Sequence, residues 1–257
     1  EPSVPGVKLR NEVMASAKNA NDAWIYGGPE TATLLIQGTI PANRSSFAVK
    51  GAMHHPDACF RAELEKRLKG KGITLDKQKI EDGERHALFT LVSPFLKDIV
   101  YYTNKNSINL FAEALGELIS PTDYARTVKA ELSGMGIDSC GITLKDASGL
   151  SPANAVPAEV FTDLLIWAKG HLSDVFVASL PQGNVDWGLR IYSDHPILRG
   201  NILAKTGSMS GVRALAGYLK TQRGETLAFT ILVNNYVGDP VKVQEIIRDL
   251  LKEFADK

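Results

Sequence analysis

Two short motifs hold the side chains of this sequence that could do chemistry. Ser107 and Asn109 form an S-x-N triplet, and residues 205–207 form a K-T-G triplet that begins at Lys205. A serine and a basic group that meet in a fold can support nucleophilic acyl transfer. Alone, the first triplet is most simply an N-cap serine followed by a polar first-turn residue. The second alone is most simply an exposed lysine on an edge strand.

The S-x-N triplet opens a predicted helix, and the K-T-G triplet lies on a predicted strand. The segment "SINLFAEALGELIS" places Leu110, Phe111, Ala114, Leu115 and Leu118 on one helical face. The segments "NILAKTG", "VRALAGYLKT" and "TLAFTILVNNY" are typical of three successive strands, the last two joined by a hairpin at "QRGE". We therefore expect an antiparallel sheet that carries the lysine.

Further helices are predicted around this sheet. "TDYARTVKAELSGMG" begins with a Thr or Asp cap, and "PAEVFTDLLIWAKG" starts with Pro157 and closes with Gly170. Asp239 caps an amphipathic C-terminal helix whose first residue is Pro240. Helices packed on an antiparallel sheet indicate an α+β fold.

The N-terminal part, from Ala23 to Pro94, is predicted to be rich in strands. "TATLLIQGTI" and "SSFAVKGAM" are expected strands with "PANR" as the turn between them, and "ITLDKQKI" and "ERHALFTLV" are expected strands around "EDGE". Between the two pairs, Phe60, Leu64 and Leu68 recur at a spacing of four and predict a helix. The change in pattern places a domain boundary near Val92–Pro94.

Four separated segments, in order, resemble one known family. S-x-N and K-T-G are two of the three signature motifs of penicillin-recognising serine enzymes, the third being S-x-x-K. "NKNSINLFAEAL", "DASGLSPAN" and "AKTGSMSGVRALAGYL" closely resemble the class C low-molecular-mass penicillin-binding proteins, the D-Ala-D-Ala carboxypeptidase/endopeptidase family. "YGGPETATLLIQGTIPANRSSFAVKGAM" resembles the accessory domain that this family inserts between its first and second motifs.

The resemblance implies both an architecture and an activity. Residues 1–92 would be the C-terminal part of the accessory domain, and residues 93–257 a transpeptidase-like, β-lactamase-like catalytic domain lacking its N-terminal segment. Such an enzyme removes the terminal D-alanine from peptidoglycan stem peptides, or cleaves cross-bridges, through an acyl-serine intermediate. It would work in the periplasm or the extracellular cell envelope, bind β-lactam antibiotics in its full-length form, and need no cofactor.

The resemblance also assigns roles to the two motifs. Ser107 would relay a proton to the leaving D-alanine, and Asn109 would orient the catalytic groups and bond the substrate amide. Lys205 would hold the proton network of Ser107 and attract the terminal carboxylate of the substrate. These three residues are the expected catalytic groups within this chain.

Substrate binding would fall to the residues that follow the lysine. Thr206 would donate its hydroxyl to the carboxylate, and Gly207 would leave room for substrate against the strand. The backbone N–H of Ser208 would be half of an oxyanion hole. Asp146 and Ser151, in "DASGLSPAN", are secondary candidates that we expect to support the cleft through hydrogen bonds, since the segment is also a simple turn.

The first family motif is missing, because no serine in the sequence has a lysine three positions later. Thr74 and Lys77 have the spacing but the wrong nucleophile. The simplest interpretation is the C-terminal portion of a longer enzyme, with the nucleophile outside this chain. The alternative is a homologue that binds peptidoglycan peptides without catalysis. A β-lactamase is disfavoured, because compact β-lactamases lack the inserted domain.

Composition and other motifs exclude several classes of function. Lys and Arg number 29, as do Asp and Glu, so the zero net charge gives no sign of a nucleic-acid partner. The apolar runs are too short to cross a bilayer. "GNILAKTGS" fails as a phosphate loop, because Ala204 stands where glycine must precede the lysine. No signal peptide is visible, so we expect any targeting signal to lie outside the chain.

Histidines and cysteines give no metal site. The adjacent His54 and His55 cannot both face one site from a strand, and no further ligand follows at the usual spacing, so no metal is expected. Both histidines should lie on the accessory domain. Cys59 and Cys140 could pair or stay apart, and we expect both to be small buried apolar residues.

Overall fold

The chain folds into two units, each with its own three-stranded sheet. The computed structural model describes residues 5–28, 31–74, 87, 89–172 and 174–256. The first unit is Glu1–Leu88 and the second is Phe89–Lys257. Among the described residues, no helix has the length and apolar character that a membrane span requires.

The first unit contains a small mixed sheet and one helix. Its strands are β1 (Lys8–Ser16), β2 (Asp22–Tyr26) and β3 (Thr33–Pro41), and its helix is α1 (Pro56–Gly70). The central strand β3 pairs in parallel with β1 and antiparallel with β2. The predictions of β3, of the turn after it and of α1 are confirmed.

Other predictions in the first unit differ from the structure. The strand predicted at "SSFAVKGAM" is not formed, because residues 45–53 pair with no other strand in the described part of the chain. A Cβ at Gly51 would lie 2.8 Å from the Ile25 side chain, so this segment packs against β2 without joining the sheet. Strand β1 was not predicted, because its side chains are mostly exposed and give no apolar alternation. The strands expected at 73–80 and 84–92 fall mainly outside the described residues, and residues 89–92 are irregular.

The second unit contains an antiparallel sheet, six α-helices and one short 3-10 helix (Trp187–Leu189) within its described part. The helices are α2 (Leu96–Asn106), α3 (Asn109–Ile119), α4 (Tyr124–Gly134), α5 (Ala158–His171), α6 (Asp174–Ser179) and α7 (Pro240–Ala255), and the strands are β4 (Ile202–Met209), β5 (Val212–Lys220) and β6 (Thr226–Asn234). The strand order is β4-β5-β6, as the sequence predicted. Helix α2 was not predicted.

Alternation along β5 places this sheet between two helices. Leu215 and Leu219 face one side and pack in a cluster with Leu251 of α7. Tyr218 faces the other side and packs with Leu165 of α5, where its hydroxyl donates to the Leu165 carbonyl at 2.6 Å. The sheet is therefore fixed on both faces, and β4 is carried at one edge of it.

The helix ends follow the capping chemistry of the sequence. The Asp123 side chain accepts from the backbone N–H of Arg126 at the start of α4, and Asp239 accepts from Val241 at 2.9 Å at the start of α7. The predicted apolar face of α3 is not its buried face. Leu110 and Leu118 are 74% and 76% exposed, and the buried residue of α3 is Gly116.

The cysteines differ from each other in exposure. Cys59 is buried on α1, as expected. The expectation that Cys140 is buried is wrong, because this residue is exposed in a turn after α4. Its backbone N–H donates to the Asp138 carboxylate at 2.9 Å, which fixes the turn and leaves the thiol at the surface.

Candidate active site

The junction of α2 and α3 positions the S-x-N triplet. Helix α2 ends at Asn106, and Ser107 takes a left-handed conformation with φ 53° and ψ 54°. For a residue other than glycine this conformation costs roughly 1–2 kcal/mol. The Ile108 N–H donates back to the Thr103 carbonyl at 3.2 Å, and α3 starts at the next residue. The chain thus turns sharply at Ser107, with Asn109 exposed at the first position of α3.

Strand β4 brings the K-T-G triplet to this junction. The Lys205 ammonium donates to the Ser107 hydroxyl at 2.8 Å and to the Thr206 carbonyl at 2.6 Å. Burial lowers the pKa of Lys205 below its ordinary value, because the charged form loses solvation. The structure therefore joins a serine and a perturbed lysine that lie 98 positions apart in the chain.

The outer edge of β4 presents backbone donors beside this pair. On that edge, Ala204 N–H donates to Pro181 at 2.9 Å, and the Ile202 carbonyl accepts from Gly183 at 2.8 Å. Successive N–H groups of a strand point to opposite edges. Thr206 and Ser208 therefore present their N–H groups on the same outer edge as Ala204, where the described residues form no further backbone bond to β4.

Packing gives a reason for a glycine at position 207, in addition to the expected room for substrate against the strand. A Cβ at Gly207 would lie 3.2 Å from the Ala214 methyl group on β5, which is closer than ordinary packing allows. The close approach of β4 to β5 accounts for the glycine without a substrate. On the other side of β4, a Cβ at Gly188 would lie 3.6 Å from the Thr206 hydroxyl, and the neighbouring Trp187 is 87% exposed.

A partly buried ion pair outside both motifs holds the end of α2. The Lys105 ammonium donates to the Leu180 carbonyl at 2.7 Å and to the Asp186 carboxylate at 3.0 Å, with the two side chains 13% and 23% exposed. The same carboxylate oxygen accepts from the Gln182 N–H at 2.7 Å. Gln182 bridges to Leu203 of β4. This network ties the residues just before Ser107 to the strand that carries Lys205.

An arginine on β5 lies beside Ser208. The Arg213 Nη1 donates to the Ser208 hydroxyl, to the Val212 carbonyl at 3.0 Å and to the Met209 carbonyl at 3.3 Å. Its guanidinium lies 5.7 Å from the centre of the Tyr236 ring. Sequence reasoning missed Arg213 and Lys105, since neither belongs to a motif and their contacts appear only in the fold.

Asp146 and Ser151 lie in a self-bonded loop and make no described hydrogen bond to Ser107 or Lys205. The Asp146 carboxylate accepts from Gly149 at 2.7 Å, from Ser151 at 2.6 Å and from the Asn154 amide at 2.9 Å. Burial raises the pKa of Asp146, but these donors outweigh it, so the pKa lies below its ordinary value.

The same loop supports α3, the helix that starts at Asn109. Ser148 N–H donates to the Glu113 carboxylate at 2.9 Å, and a Cβ at Gly116 would come within 2.6 Å of the Ala147 methyl group. The loop therefore packs directly against α3. Glu113 and Gly116 are supporting residues that the sequence did not single out.

The histidine pair lies in the first unit, at the start of α1. His55 is the N-cap of this helix in a left-handed conformation, with φ 49°. In the described part of the chain, no group of three or more His, Cys, Asp or Glu side chains could hold a metal ion.

Known proteins are similar to this chain in sequence and in fold. The model of the D-Ala-D-Ala carboxypeptidase 3 (S13) family matches residues 3–257. The D-alanyl-D-alanine carboxypeptidase of Actinomadura sp. is 30% identical over 271 residues, which cover 95% of this chain and 49% of that protein. Penicillin binding protein 4 (dacB) from Haemophilus influenzae, solved with a β-lactam, has a TM-score of 0.79 at 25% identity, covering 98% of this chain and 64% of that one.

A solved β-lactamase shares part of this fold. The TLA-1 extended-spectrum β-lactamase has a TM-score of 0.51 at 17% identity, covering 63% of each chain, and this likeness concerns the fold alone. The α+β, penicillin-recognising fold predicted from the sequence is confirmed. The chain spans about half the length of the curated relatives it matches. With a family model matched along nearly all of its residues, the chain belongs to the D-Ala-D-Ala carboxypeptidase 3 (S13) family.

Proposed function

We propose that the complete protein is a serine-type D-Ala-D-Ala carboxypeptidase/endopeptidase that acts on peptidoglycan stem peptides in the periplasm or the extracellular envelope. The observation that carries this proposal is the 2.8 Å hydrogen bond between Lys205 and Ser107. It unites two of the motifs that acyl transfer in this family requires. Membership of the S13 family and the names of the relatives support the same activity.

The direction of this hydrogen bond suits a proton relay. A serine hydroxyl has one proton to donate and two lone pairs to accept. Because Lys205 donates to Ser107, the Ser107 proton is free to go to the leaving amine of D-alanine. A proton can then return to Ser107 from the Lys205 ammonium, whose pKa is lowered by burial. Asn109, two residues along, would bond the amide of the substrate.

The outer edge of β4 suits the carboxyl end of the substrate. The Thr206 hydroxyl and the Lys205 charge would hold the terminal carboxylate, and a peptide could lie along the edge where the Ser208 N–H points. That N–H would be one donor of the oxyanion hole, and a donor of this kind contributes about 2.7–4 kcal/mol in a serine protease. Asp146 and Ser151 would support the cleft wall through their loop.

The nucleophile itself is proposed to lie outside these 257 residues. No serine in the chain has a lysine three positions later, so the S-x-x-K motif is absent from it. The complete protein would supply this serine, its lysine base and the second oxyanion donor, which is the N–H of the nucleophile. The 257-residue chain alone would then form no acyl-enzyme.

Covalent labelling tests this assignment. The complete protein and the 257-residue chain are each incubated with benzylpenicillin, and their intact masses are measured. We expect one adduct per complete protein and none on the shorter chain. Release of D-alanine from a peptide ending in D-Ala-D-Ala should follow the same pattern.

Two results would overturn parts of the proposal. A stoichiometric adduct on the 257-residue chain would show that the nucleophile lies within it, with Ser107 as the first candidate. A complete protein that binds the peptide but neither forms an adduct nor releases D-alanine would support the non-catalytic peptide-binding alternative.

A further inference from the structure

The sheet of the first unit collects aromatic and polar side chains on one face. Side chains alternate between the two faces along a strand, and residues directly opposite each other on paired strands share a face. The register across β1, β3 and β2 therefore places six side chains on one face, in two neighbouring rows: Glu12, Gln37 and Trp24, then Arg10, Leu35 and Tyr26. The Gln37 amide donates to the Glu12 carboxylate at 2.8 Å, as this arrangement requires.

The opposite face of this sheet is the one that packs. Ala23 and Leu34 lie on it and are 5% and 6% exposed. Ile25 lies on it as well, and the segment at Gly51 packs against its side chain. Within the residues that the structure describes, the apolar core of the first unit is thus on the far side of the sheet from Trp24 and Tyr26.

Two aromatic rings stand exposed on the first face. Trp24 is 66% and Tyr26 is 52% exposed, and their Cα atoms lie about 7 Å apart because they are two residues apart on one strand. Rings in this position contribute little to the stability of the fold, since burial is what stabilises an apolar side chain. An exposed apolar patch with a polar rim marks a binding surface. The indole N–H and the phenol O–H add hydrogen-bonding groups at the edges of the rings.

The polar groups around the rings carry no net charge. Glu12 forms an ion pair with Arg10, and the hydrogen bond from Gln37 is the main reason why the pKa of Glu12 lies below its ordinary value. Lys8 and Asp22, further along the same face, balance each other in sign. A surface with balanced charges does not attract a nucleic acid or another polyanion.

A sugar ring has the complementary chemistry. Its axial C–H groups make an apolar face that packs flat against an aromatic ring, and its hydroxyl and acetamido groups exchange hydrogen bonds with amide and carboxylate side chains. Trp24 and Gln37, directly opposite each other, offer both kinds of contact side by side. An apolar protein partner is a poorer match, because charged side chains lie between the apolar ones on this face.

We propose that this face is a binding site for the glycan strands of peptidoglycan, which are chains of N-acetylated amino sugars, with Trp24 and Tyr26 as stacking platforms and Gln37 as a hydrogen-bonding partner. The inference rests on the proposed function for its choice of glycan, because these strands carry the stem peptides. It adds a site outside both motifs. Holding the polymer would raise the local concentration of stem peptides without any new contact at Ser107 or Lys205.

Titration of the complete protein with a tetramer of N-acetylglucosamine tests this site, because this oligosaccharide carries no stem peptide. Binding is measured by calorimetry for the wild type, Trp24→Leu, Trp24→Phe and Gln37→Ala, and thermal unfolding checks that each variant is folded. Phe60→Leu is the matched control, because Phe60 is an aromatic residue of the same unit that is 71% exposed but lies on α1.

We expect Trp24→Leu to weaken binding about tenfold or more, as for the loss of an aromatic residue at the centre of an interface. Trp24→Phe keeps a flat ring and should weaken binding by a smaller factor. Gln37→Ala should weaken it about threefold or more through the loss of a hydrogen bond. Phe60→Leu should bind as the wild type does, and a glucose tetramer without acetamido groups should bind more weakly than the N-acetylated one.

Several results would overturn the proposal: no binding of the tetramer by the wild type, equal affinities of the wild type and Trp24→Leu, or equal binding of the two tetramers. A dimer in sedimentation that Trp24→Leu dissociates would also overturn it, because the face would then belong to a second copy of the protein. Failure of the proposed function is recognised separately, since the titration involves no bond cleavage. A protein that releases no D-alanine and forms no penicillin adduct refutes the serine mechanism, while binding of the tetramer that depends on Trp24 still supports the glycan site.

Discussion

Replacing Lys205 with alanine in the complete protein removes the group that joins the two motifs. Lys205 donates to the Ser107 hydroxyl and to the Thr206 carbonyl. A hydrogen bond from a charged group contributes about 1.5–3 kcal/mol, and each 1.4 kcal/mol is a factor of ten. The bond to Ser107 alone therefore accounts for a loss of roughly ten- to a hundredfold. Loss of the attraction for the substrate carboxylate adds to it, so we expect kcat/KM to fall on the order of 10²-fold or more.

The assay is release of D-alanine from a peptide ending in D-Ala-D-Ala, with kcat and KM determined separately. Lys220→Ala is the matched control, because Lys220 ends β5 of the same sheet and its side chain is exposed. An exposed lysine contributes little, so this variant should keep its activity within about twofold. If Lys205→Ala were as active as the control, the shared site of Ser107 and Lys205 would have no part in the reaction, and the proposed mechanism would be refuted.

Three further outcomes are expected. Asp186→Asn and Lys105→Met should each reduce kcat by a larger factor than they change KM. In the double variant the loss of activation free energy should be smaller than the sum of the two single losses, with a coupling energy of about 1–2 kcal/mol in the double-mutant cycle. Additive losses would contradict the positioning role. Gly116→Ala should lower the free energy of unfolding by about 1–3 kcal/mol through overpacking, while Gly134→Ala, which meets nothing within 4 Å, should be neutral or stabilising in the same denaturant titration. Burial lowers the pKa of Lys205, so this side chain loses its charge at a lower pH than an exposed lysine does, and kcat/KM should decline on the alkaline side before pH 10.5. Lys205→Arg should shift this decline to higher pH, because a guanidinium keeps its charge. An unchanged pH profile would show that another group causes the decline.

Local patterns were sufficient to predict the sheet that carries Lys205. Alternating apolar residues and a glycine-containing hairpin specify β4, β5 and β6 within short stretches of sequence, and Asp239 and Pro240 mark the start of α7. Each of these signals acts between residues close in the chain. These elements could therefore be predicted without knowing which distant residues they contact.

Helix α2 could not be predicted in the same way. Its sequence, "LKDIVYYTNKN", combines β-branched, aromatic and polar residues, which have only modest helix propensity. Its last turn is held instead by Asn104 and Lys105, whose partners Ser179, Leu180 and Asp186 lie 75 or more positions away. Tertiary contacts of this kind leave no local pattern to detect.

The residues that set the geometry of the candidate site therefore lie outside its motifs. The Ser107 Oγ lies 2.8 Å from the Lys205 Nζ for two reasons. The chain turns at Ser107 through a left-handed conformation, and Lys105 ties α2 to the segment that precedes β4. Neither condition is encoded in S-x-N or in K-T-G. A chain could keep both triplets and lose the distance between them through a change at Asp186. Motifs identify the reacting groups, and the separation on which proton transfer depends steeply is fixed by contacts that only the fold displays.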